Sequence, residues 1–209
     1  MTAAPKPAAV ILAGGRSSRM GGNRKALLQL GGRSLLTRVI DRLQSQCDPL
    51  LISCDTQAQE LKGFGLPLVP DLLPGYRGPL TGLYSALQYL SDNEHEGGLV
   101  LCPCDAPFIS GDLVQALLNV DSTGEIPVVA ISYQGVLQPT FSLWHSHHLP
   151  HIHDALVKQG FGGLKHLLRS LPHEIVEWEV DEKTSTEPSP FFNINTPADL
   201  ETAAGYFPD

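Results

Sequence analysis

Residues 8–25, AAVILAGGRSSRMGGNRK, form the stretch that decides the fold. The apolar run Ala8–Ala13 predicts a short buried strand that ends at two adjacent glycines. The loop that follows carries four cations and no acidic residue: Arg16, Arg19, Arg24 and Lys25. Glycine lets a ligand approach the main chain closely, and successive backbone N–H groups can bind an anion. The stretch therefore predicts a strand followed by a polyphosphate-binding loop, with a plain glycine-rich turn as the alternative.

The rest of the chain alternates apolar runs with helical patterns. Further strands are predicted at Leu50–Cys54, Leu66–Val69 and Leu99–Cys102, helices at Ser34–Gln46, Leu80–Leu90 and Asp112–Val120, and a hairpin from Val128–Tyr133 and Gln138–Leu143. This alternation indicates an α/β protein with a mostly parallel sheet and helices on both faces. The C-terminal third is expected to be less regular, with a loop or flap at Asp181–Pro190.

Two carboxylates stand directly after predicted strands. In parallel sheets ligands bind beyond the carboxyl ends of the strands. Asp105 follows the fourth strand between two prolines, which stiffen the loop that holds it. It is the best candidate for a Mg²⁺ ligand, because this cation binds through one or two carboxylates and substrate phosphates. Asp71 follows the third strand and is expected to contact a base or ribose or to assist the metal through water, with a simple turn as the alternative.

The charge is divided unevenly along the chain. The net charge is −8 over 209 residues, yet seven of the 14 lysines and arginines and none of the 22 acidic residues lie in the first 40 positions. This division favours a local anion site over a general nucleic-acid surface. No apolar run near the N-terminus is long enough for a signal-peptide core or a membrane span, so a cytoplasmic protein without a membrane partner is expected.

Other chemistry-bearing residues are interpreted as structural. The four cysteines match no zinc-binding spacing and are expected to be buried thiols. The histidines between His145 and His153 are expected to form a solvated patch on an irregular stretch, not a metal site. Trp144 and Trp178 are expected in the core.

Five segments taken together resemble the molybdenum cofactor guanylyltransferase family from Val10 to about Leu200. They are LAGGRSSRMGG with Lys25 (Leu12–Lys25), GPLTGL (Gly78–Leu83), PCDAPF (Pro103–Phe108), QPTFSLW (Gln138–Trp144) and FFNINTPADL (Phe191–Leu200). One such motif is weak, but five in this order are specific. The resemblance implies a three-layer Rossmann-like nucleotidyltransferase fold. It also implies a single domain, 1–209, with a GTP-binding half at about 8–125 and a molybdopterin-binding half at about 126–205.

The same resemblance implies an activity and assigns residues to it. The implied reaction moves GMP from GTP to the terminal phosphate of Mo-molybdopterin, with Mg²⁺ as cofactor. The matching positions are Leu12, Ala13, Gly14 and Gly15 at the nucleotide, Arg19 and Lys25 at its phosphates, Asp71 at the nucleotide, Asp105 at the metal, and Asn193 and Asn195 on the molybdopterin side. Proteins that deliver molybdopterin or accept the finished cofactor are further expected partners, and nucleic acid is not.

Three positions decide which properties of the family are assigned to this chain. Gly14 stands where related cytidylyltransferases look like Leu-Ala-Ala-Gly, and the missing methyl group favours the larger base, guanine. Asp55 lies in a segment that is often asparagine-rich in the family, so no base contact is inferred there. Gln138 stands where the family often has histidine, and glutamine cannot carry out proton transfer.

Two other functions stay open at this point. One is a cytidylyltransferase or a sugar nucleotidyltransferase of the same fold. The other is a regulatory domain that binds a nucleotide without turnover. The presence of both Lys25 and Asp105 favours an enzyme, because a sensor could dispense with either residue.

Overall fold

A computed structural model describes residues 6–14, 24–55, 58–73, 78–95, 97–121, 124–158, 163–179 and 187–207. The strands are β1 (Ala8–Leu12), β2 (Gln29–Leu30), β3 (Arg33–Ser34), β4 (Leu50–Cys54), β5 (Leu68–Pro70), β6 (Leu99–Pro103), β7 (Val128–Tyr133), β8 (Val136–Trp144) and β9 (His173–Trp178). The α-helices are α1 (Leu35–Leu43), α2 (Pro79–Asp92), α3 (Leu113–Val120), α4 (Leu149–Val157), α5 (Leu164–Ser170) and α6 (Pro197–Ala204). Short 3-10 helices lie at Lys25–Leu27, Gln59–Phe64 and Ser146–His148.

Seven of the strands form one mixed sheet in the order β5-β4-β1-β6-β8-β7-β9. β1 pairs in parallel with β4 and β6, β4 with β5, and β7 with β9. β8 is antiparallel to both of its neighbours. The prediction of a mostly parallel sheet is therefore confirmed. Strands of both predicted halves of the chain lie in this sheet, whereas β2 and β3 form a separate hairpin.

Apolar side chains pack on both faces of the sheet, which makes three layers. Along β1, Ala9 and Ile11 belong to one core cluster, while Ala8 and Val10 belong to the other. This is the alternation that an extended strand imposes on successive side chains. Helices α1 and α3 pack in the first cluster, and α2, α4 and α5 pack in the second. Each fully buried leucine or isoleucine contributes roughly 1.5–3 kcal/mol, so the two faces supply most of the hydrophobic stabilisation.

A third, smaller apolar cluster connects distant parts of the chain. It consists of Leu30, Leu35, Phe108, Ile194 and Ala203. These residues come from the β2–β3 hairpin, the start of α1, the segment after β6, and the C-terminal segment around α6. The Phe108 ring also stacks on Phe207, with ring centroids 5.1 Å apart. The cluster therefore fastens the C-terminal segment to the end of β6.

Two local predictions are confirmed by hydrogen bonds and backbone angles. Ser34 caps α1, and its hydroxyl accepts from the Thr37 N–H at 3.1 Å. The β7–β8 hairpin turns at Gln134 (φ 51°) and Gly135 (φ 73°). Positive φ at both central residues is the two-residue turn whose twist matches that of paired strands.

Two local predictions need correction. The third strand was expected at Leu66–Val69, whereas β5 runs Leu68–Pro70, because its register pairs Leu68 with Ile52 and places Pro70 at the sheet edge. An edge strand tolerates proline, since one side of it needs no ladder hydrogen bond.

The C-terminal third is more regular than expected. Its patterns are short, and two of its helices have a proline in their first turn. Pro150 lies in the first turn of α4 and Pro197 in the first turn of α6, where the missing N–H has no helical partner to lose. Most of the predicted loop at 181–190 lies outside the described residues.

The turn of the β2–β3 hairpin provides a test of packing against the C-terminal segment. Gly31 (φ 50°) and Gly32 (φ 63°) share the left-handed conformation. A Cβ on Gly31 would lie 2.3 Å from the Phe207 carbonyl oxygen, whereas one on Gly32 would meet nothing within 4 Å. Gly31→Ala is expected to lower the free energy of unfolding by about 1–3 kcal/mol more than Gly32→Ala, because it adds steric overlap to the same backbone strain. Urea titration measures the difference, and equal losses would contradict this packing.

Candidate active site at the carboxyl ends of the strands

The carboxyl ends of β1, β4, β5 and β6 meet at one edge of the sheet. Leu12 lies opposite Ser53 and Pro103, and Cys54 lies opposite Pro70. The residues that follow these strands therefore share this edge: Ala13 and Gly14, Asp55, Asp71, and Asp105. The sequence predicted ligand chemistry here for all of these positions except Asp55.

Lys25 is the residue on which three segments converge. Its Nζ donates to Asp105 Oδ2 and, at 2.7 Å, to Asn195 Oδ1. Both partners of the Lys25–Asp105 ion pair are largely buried, with 18% and 16% of their side chains exposed. The cationic turn and the acid after β6 thus lie together, as the sequence interpretation requires. The structure adds Asn195, which lies 170 positions from Lys25.

Asp105 is held by its backbone and keeps one carboxylate oxygen for a ligand. Its carbonyl oxygen accepts from the Ile194 N–H at 2.9 Å, and the Cys104 N–H donates to the Leu12 carbonyl at 3.2 Å. Its Oδ1 is buried, and no donor among the described residues reaches it. A buried acceptor without a partner is costly unless a ligand satisfies it.

The segment around Asn193 and Asn195 is fixed by the start of α6. The N–H groups of Asn195 and Thr196 both donate to Asp199 Oδ2 at 2.8 Å, and the Asp199 N–H donates back to the Thr196 hydroxyl. The pKa of Asp199 is lowered chiefly by the hydrogen bond from the Asn195 N–H, then by the hydrogen bonds of the cap with Thr196, and last by the nearby charge of Lys25. Asn193 Oδ1 is buried without a donor among the described residues, so a second acceptor lies in the same segment as Asn195.

The oxygens in this region fit a hard cation. Carboxylate and amide oxygens are the ligands that Mg²⁺ and Ca²⁺ prefer, and Mg²⁺ usually keeps only one or two protein carboxylates. Within the described ranges, no group of three or more histidine, cysteine, aspartate or glutamate side chains could hold a metal by itself. Asp105, with its unpartnered oxygen, therefore fits a metal that phosphate oxygens would also bind.

The nucleotide positions after β1 are partly described. Ala13 is buried and its N–H donates to the Ser53 carbonyl at 2.9 Å, whereas Gly14 is exposed. A Cβ on Gly14 would meet no atom of the described residues within 4 Å. Leu12 is partly buried and packs against the second core cluster. Gly15 and Arg19, both expected at the nucleotide, lie outside the described residues.

Asp71 lies at the same edge but three strand spacings from Asp105. The sheet order places β4 and β1 between β5 and β6, so the separation is roughly 14 Å at about 4.8 Å per strand. Partial desolvation raises the pKa of Asp71, and the nearby Asp55 carboxylate raises it further. The structure therefore does not bring Asp71 to Lys25 but places it farther along the edge, beside β4.

Arg24 was expected to face a triphosphate, but the structure pairs it with carboxylates. Its guanidinium donates to both carboxylate oxygens of Asp55, at 2.8 and 2.9 Å, and to Glu60. These partners lie 31 and 36 positions away, so no local sequence signal pointed to them. Sequence reasoning also missed Asp55 as a site residue, although its place after a predicted strand was a usable signal.

The glycines of the segment Gly78–Leu83 have two separate roles. A Cβ on Gly82 would lie 2.5 Å from Ser53 Oγ and 2.7 Å from Leu12 Cδ2, so this glycine lets α2 pack closely on β1 and β4. Gly78, the residue before α2, has a φ of 129°, and a Cβ on it would meet no atom of the described residues within 4 Å. Gly82 is therefore a packing residue, whereas Gly78 has a backbone conformation that favours glycine.

The thiols beside the site are confirmed as buried. Burial raises the pKa of Cys47 and of Cys104 to about 12, and it raises that of Cys102 as well. These thiols therefore stay protonated near neutral pH and are poor nucleophiles. Trp144 is fully buried, as predicted, whereas Trp178 is partly buried.

The histidine patch lies at the opposite edge of the sheet and is more ordered than expected. His145 follows β8, whose last residue pairs with the first residue of β6. His145 is buried, and the rings of His147 and His148 are 3.8 Å apart at their centroids. Burial, followed by the neighbouring histidines, lowers the pKa of His148 to about 4. The expectation of a fully solvated, irregular patch is wrong, because the 3-10 helix and α4 pack this segment against α2.

The fold and the edge site together are those of the α/β class in which ligands bind at the carboxyl ends of parallel strands. Comparison with known proteins narrows this class. The model of the MobA-like NTP transferase domain matches residues 9–175. The chain belongs to the MobA-like NTP transferase family and is a nucleotidyltransferase.

Curated relatives extend the similarity over almost the whole chain. The molybdenum cofactor guanylyltransferase of Rhizobium meliloti (strain 1021) is 38% identical, with 100% of this chain and 97% of the relative covered. The protein of the same name from Rhodopseudomonas palustris (strain HaA2) is 37% identical, with 96% and 92% covered. The similarity therefore includes the C-terminal segment with Asn193 and Asn195, which lies beyond the family model.

Solved structures support the fold. Molybdopterin-guanine dinucleotide biosynthesis protein A from Archaeoglobus fulgidus superposes with a TM-score of 0.78 at 22% identity, covering 95% of this chain and 97% of that one. A CMP:2-keto-3-deoxy-manno-octonic acid synthetase complexed with CTP gives 0.70 at 15% identity, with 96% and 98% covered. At these identities the likeness shows a shared nucleotidyltransferase fold.

Among the described residues, no helix is long and apolar enough to cross a membrane.

The pKa of His148 predicts an acid-dependent loss of stability. A histidine whose pKa falls from 6.5 to about 4 on folding takes up a proton when the chain unfolds between these values. The free energy of unfolding therefore decreases as the pH is lowered through this window and is unaffected by this group above it. His148→Gln is expected to flatten the decrease in Tm between pH 6.5 and 4. Parallel curves for wild type and His148→Gln would contradict the assignment.

Proposed function

We propose that the protein transfers GMP from GTP to the terminal phosphate of Mo-molybdopterin, which yields molybdopterin guanine dinucleotide and pyrophosphate. The observation that carries the proposal is the position of Lys25 between Asp105 and Asn195. These are a residue of the nucleotide side and a residue of the molybdopterin side in the family resemblance. A cation shared by the two sides suits a reaction that joins two phosphates. The names of the relatives at 37–38% identity support this choice of substrates.

The nucleotide would lie along the edge from β5 to β6. Asp71 would meet the base or ribose, Ala13 and Gly14 would present backbone, and Lys25 would meet the phosphates. Gly15 and Arg19 would complete this set from the loop that follows β1. The separation of roughly 14 Å between Asp71 and Asp105 gives the nucleoside and the triphosphate different parts of one edge.

Charge neutralisation would supply most of the catalysis. The attacking group, a phosphate, is already an anion, so no general base is needed to create the nucleophile. The obstacle is repulsion between two phosphate groups, which Lys25 and Arg19 would reduce while holding both groups in line. Mg²⁺, held by Asp105 through its buried oxygen, would withdraw negative charge from the triphosphate. Asn193 and Asn195 would orient the molybdopterin phosphate with their amide groups.

Two alternatives would change one part of this proposal each. A cytidylyltransferase or sugar nucleotidyltransferase would use the same edge with another base or acceptor, and a regulatory domain would bind a nucleotide without turnover.

The decisive measurement mixes the protein with Mg²⁺, Mo-molybdopterin and each NTP in turn, and identifies the product by mass. A guanine dinucleotide with pyrophosphate supports the proposal, and a cytosine dinucleotide or no turnover with any NTP rejects it. The expected cytoplasmic location and protein partners remain predictions.

Asp105→Asn tests the metal ligand while preserving the shape of the side chain. The change removes the negative charge, so GMP transfer is expected to fall by about 10²–10³-fold, the usual loss when one electrostatic group of an active site is removed. Asp112→Asn, on an exposed aspartate at the start of α3 without a side-chain cap, serves as the control and should transfer GMP normally. Near-wild-type transfer by Asp105→Asn at ordinary magnesium would exclude Asp105 as the ligand.

Gly14→Ala tests whether the base approaches the backbone at the end of β1. In the part of the chain that the structure describes, the added methyl meets no atom within 4 Å, so Tm is expected to stay unchanged. A methyl placed against a bound guanine is expected to raise KM for GTP about tenfold, with a smaller effect on CTP. Equal changes in KM for the two nucleotides would show that Gly14 does not select the base.

A further inference from the structure

Arg24 forms the most extensive side-chain ion pairing at the site edge among the described residues. Its fork of N–H groups spans both oxygens of Asp55, and its Nε donates to Glu60. Only 10% of the Arg24 side chain is exposed, although 43% and 44% of the two carboxylate side chains are. A two-point pairing of this kind fixes direction as well as distance.

The charges of this trio argue against Arg24 as a phosphate ligand. One guanidinium and two carboxylates sum to a single negative charge, so the group as a whole does not attract a polyphosphate. The Asp55 carboxylate also lies near enough to Asp71 to raise the pKa of Asp71. Removal of Arg24 would therefore take a positive charge away from this part of the site edge and make it less favourable for an anionic substrate.

The backbone connects this trio to Lys25. The Arg24 carbonyl accepts from the Leu27 N–H at 3.0 Å, which closes the 3-10 turn that Lys25 begins. At the other end of that turn, the Leu28 carbonyl accepts from the Leu35 N–H at 2.9 Å. The backbone of Lys25 therefore lies between an anchor at the end of β4, made by the Arg24 side chain, and an anchor at the start of α1.

We propose that Arg24 is a positioning residue: its pairing with Asp55 and Glu60 holds Lys25 at Asp105 and Asn195 and keeps the two carboxylates from repelling the substrate. Arg24 acts through Lys25 and does not itself contact the reacting phosphates. Its relevance to transfer rests on the proposed function, whereas its control over Lys25 is a property of the protein without substrate. The two parts can therefore be tested separately.

The first test measures how well Lys25 is held in the ligand-free protein. Brief acetylation with an N-hydroxysuccinimide ester, followed by mass spectrometry, gives the labelling rate of Lys25 relative to the exposed Lys165. Arg24→Met is expected to raise this ratio about tenfold. The variant loses the hydrogen bonds from Arg24 to the two carboxylates, which are strong because both partners are charged, and the Lys25 amine is then held less firmly at Asp105 and Asn195. Asp105→Asn, which removes the ion pair but leaves the Asn195 contact, gives the labelling ratio for partial release of Lys25. Arg33→Met, which removes an arginine paired with Asp41 at 2.6 Å elsewhere, is the matched control.

The second test separates action through Asp55 from direct contact with substrate. If Arg24 acts through its fork, Asp55→Asn raises Lys25 labelling in the same direction, and the double variant Arg24→Met/Asp55→Asn is no worse than Arg24→Met alone. Arg24→Lys, which keeps the charge but loses the fork, is expected to label like Arg24→Met. In GMP transfer, Arg24→Met is expected to lower kcat and to raise KM for GTP, and the additional change Glu60→Gln is expected to recover part of KM but not kcat.

Several outcomes would overturn the proposal. Unchanged Lys25 labelling in Arg24→Met would show that Arg24 does not hold Lys25. Full recovery by Arg24→Lys would show that charge alone matters. Strictly additive losses from Arg24→Met and Asp55→Asn would show that the two residues do not act as a pair. If the wild type makes no dinucleotide, the proposed function fails, and the labelling result still decides whether Arg24 positions Lys25.

Discussion

The ammonium group of Lys25, held by Asp105 and Asn195, is the interaction on which the site depends. It joins a turn near the start of the chain, the loop after β6, and the segment before α6. Two of these segments are also joined by their backbones, because the Ile194 N–H donates to the Asp105 carbonyl, and the C-terminal segment is further fixed by its reciprocal cap. Because the ion pair is largely withdrawn from water, it is screened less by salt than a surface pair.

The third apolar cluster explains how these segments meet without belonging to the main sheet. Phe108 follows Asp105 by three residues, and Ile194 lies between the two asparagines, so the cluster packs directly behind the polar groups. Burial of these side chains supplies stabilisation that offsets the cost of withdrawing charges from water. Polar groups face the site while apolar groups of the same segments face the cluster, as short loops at a sheet edge require.

The protein has a net negative charge, whereas its proposed substrates are anions, so their binding depends on how charges are arranged at the site. Three described cations of the basic first 40 residues pair with carboxylates that come from later in the chain: Arg24 with Asp55 and Glu60, Lys25 with Asp105, and Arg33 with Asp41. The described part of the site edge is therefore not a plain positive surface. Its Arg24 and Lys25 are already paired, and a metal and a triphosphate would exchange with these partners.

The sequence alone determined the layer architecture, since continuous apolar runs followed by helical periodicity have few other solutions. It indicated the residues at the ligand edge apart from Asp55. It also indicated Lys25 and Asp105, because glycine, cation and post-strand carboxylate patterns are local. Only the tertiary structure decided that Asn195 shares Lys25, that Arg24 is bound by Asp55 and Glu60, and that the histidine patch is packed against α2. These contacts join residues far apart in sequence, and their partners depend on strand order and loop packing, which local patterns do not encode.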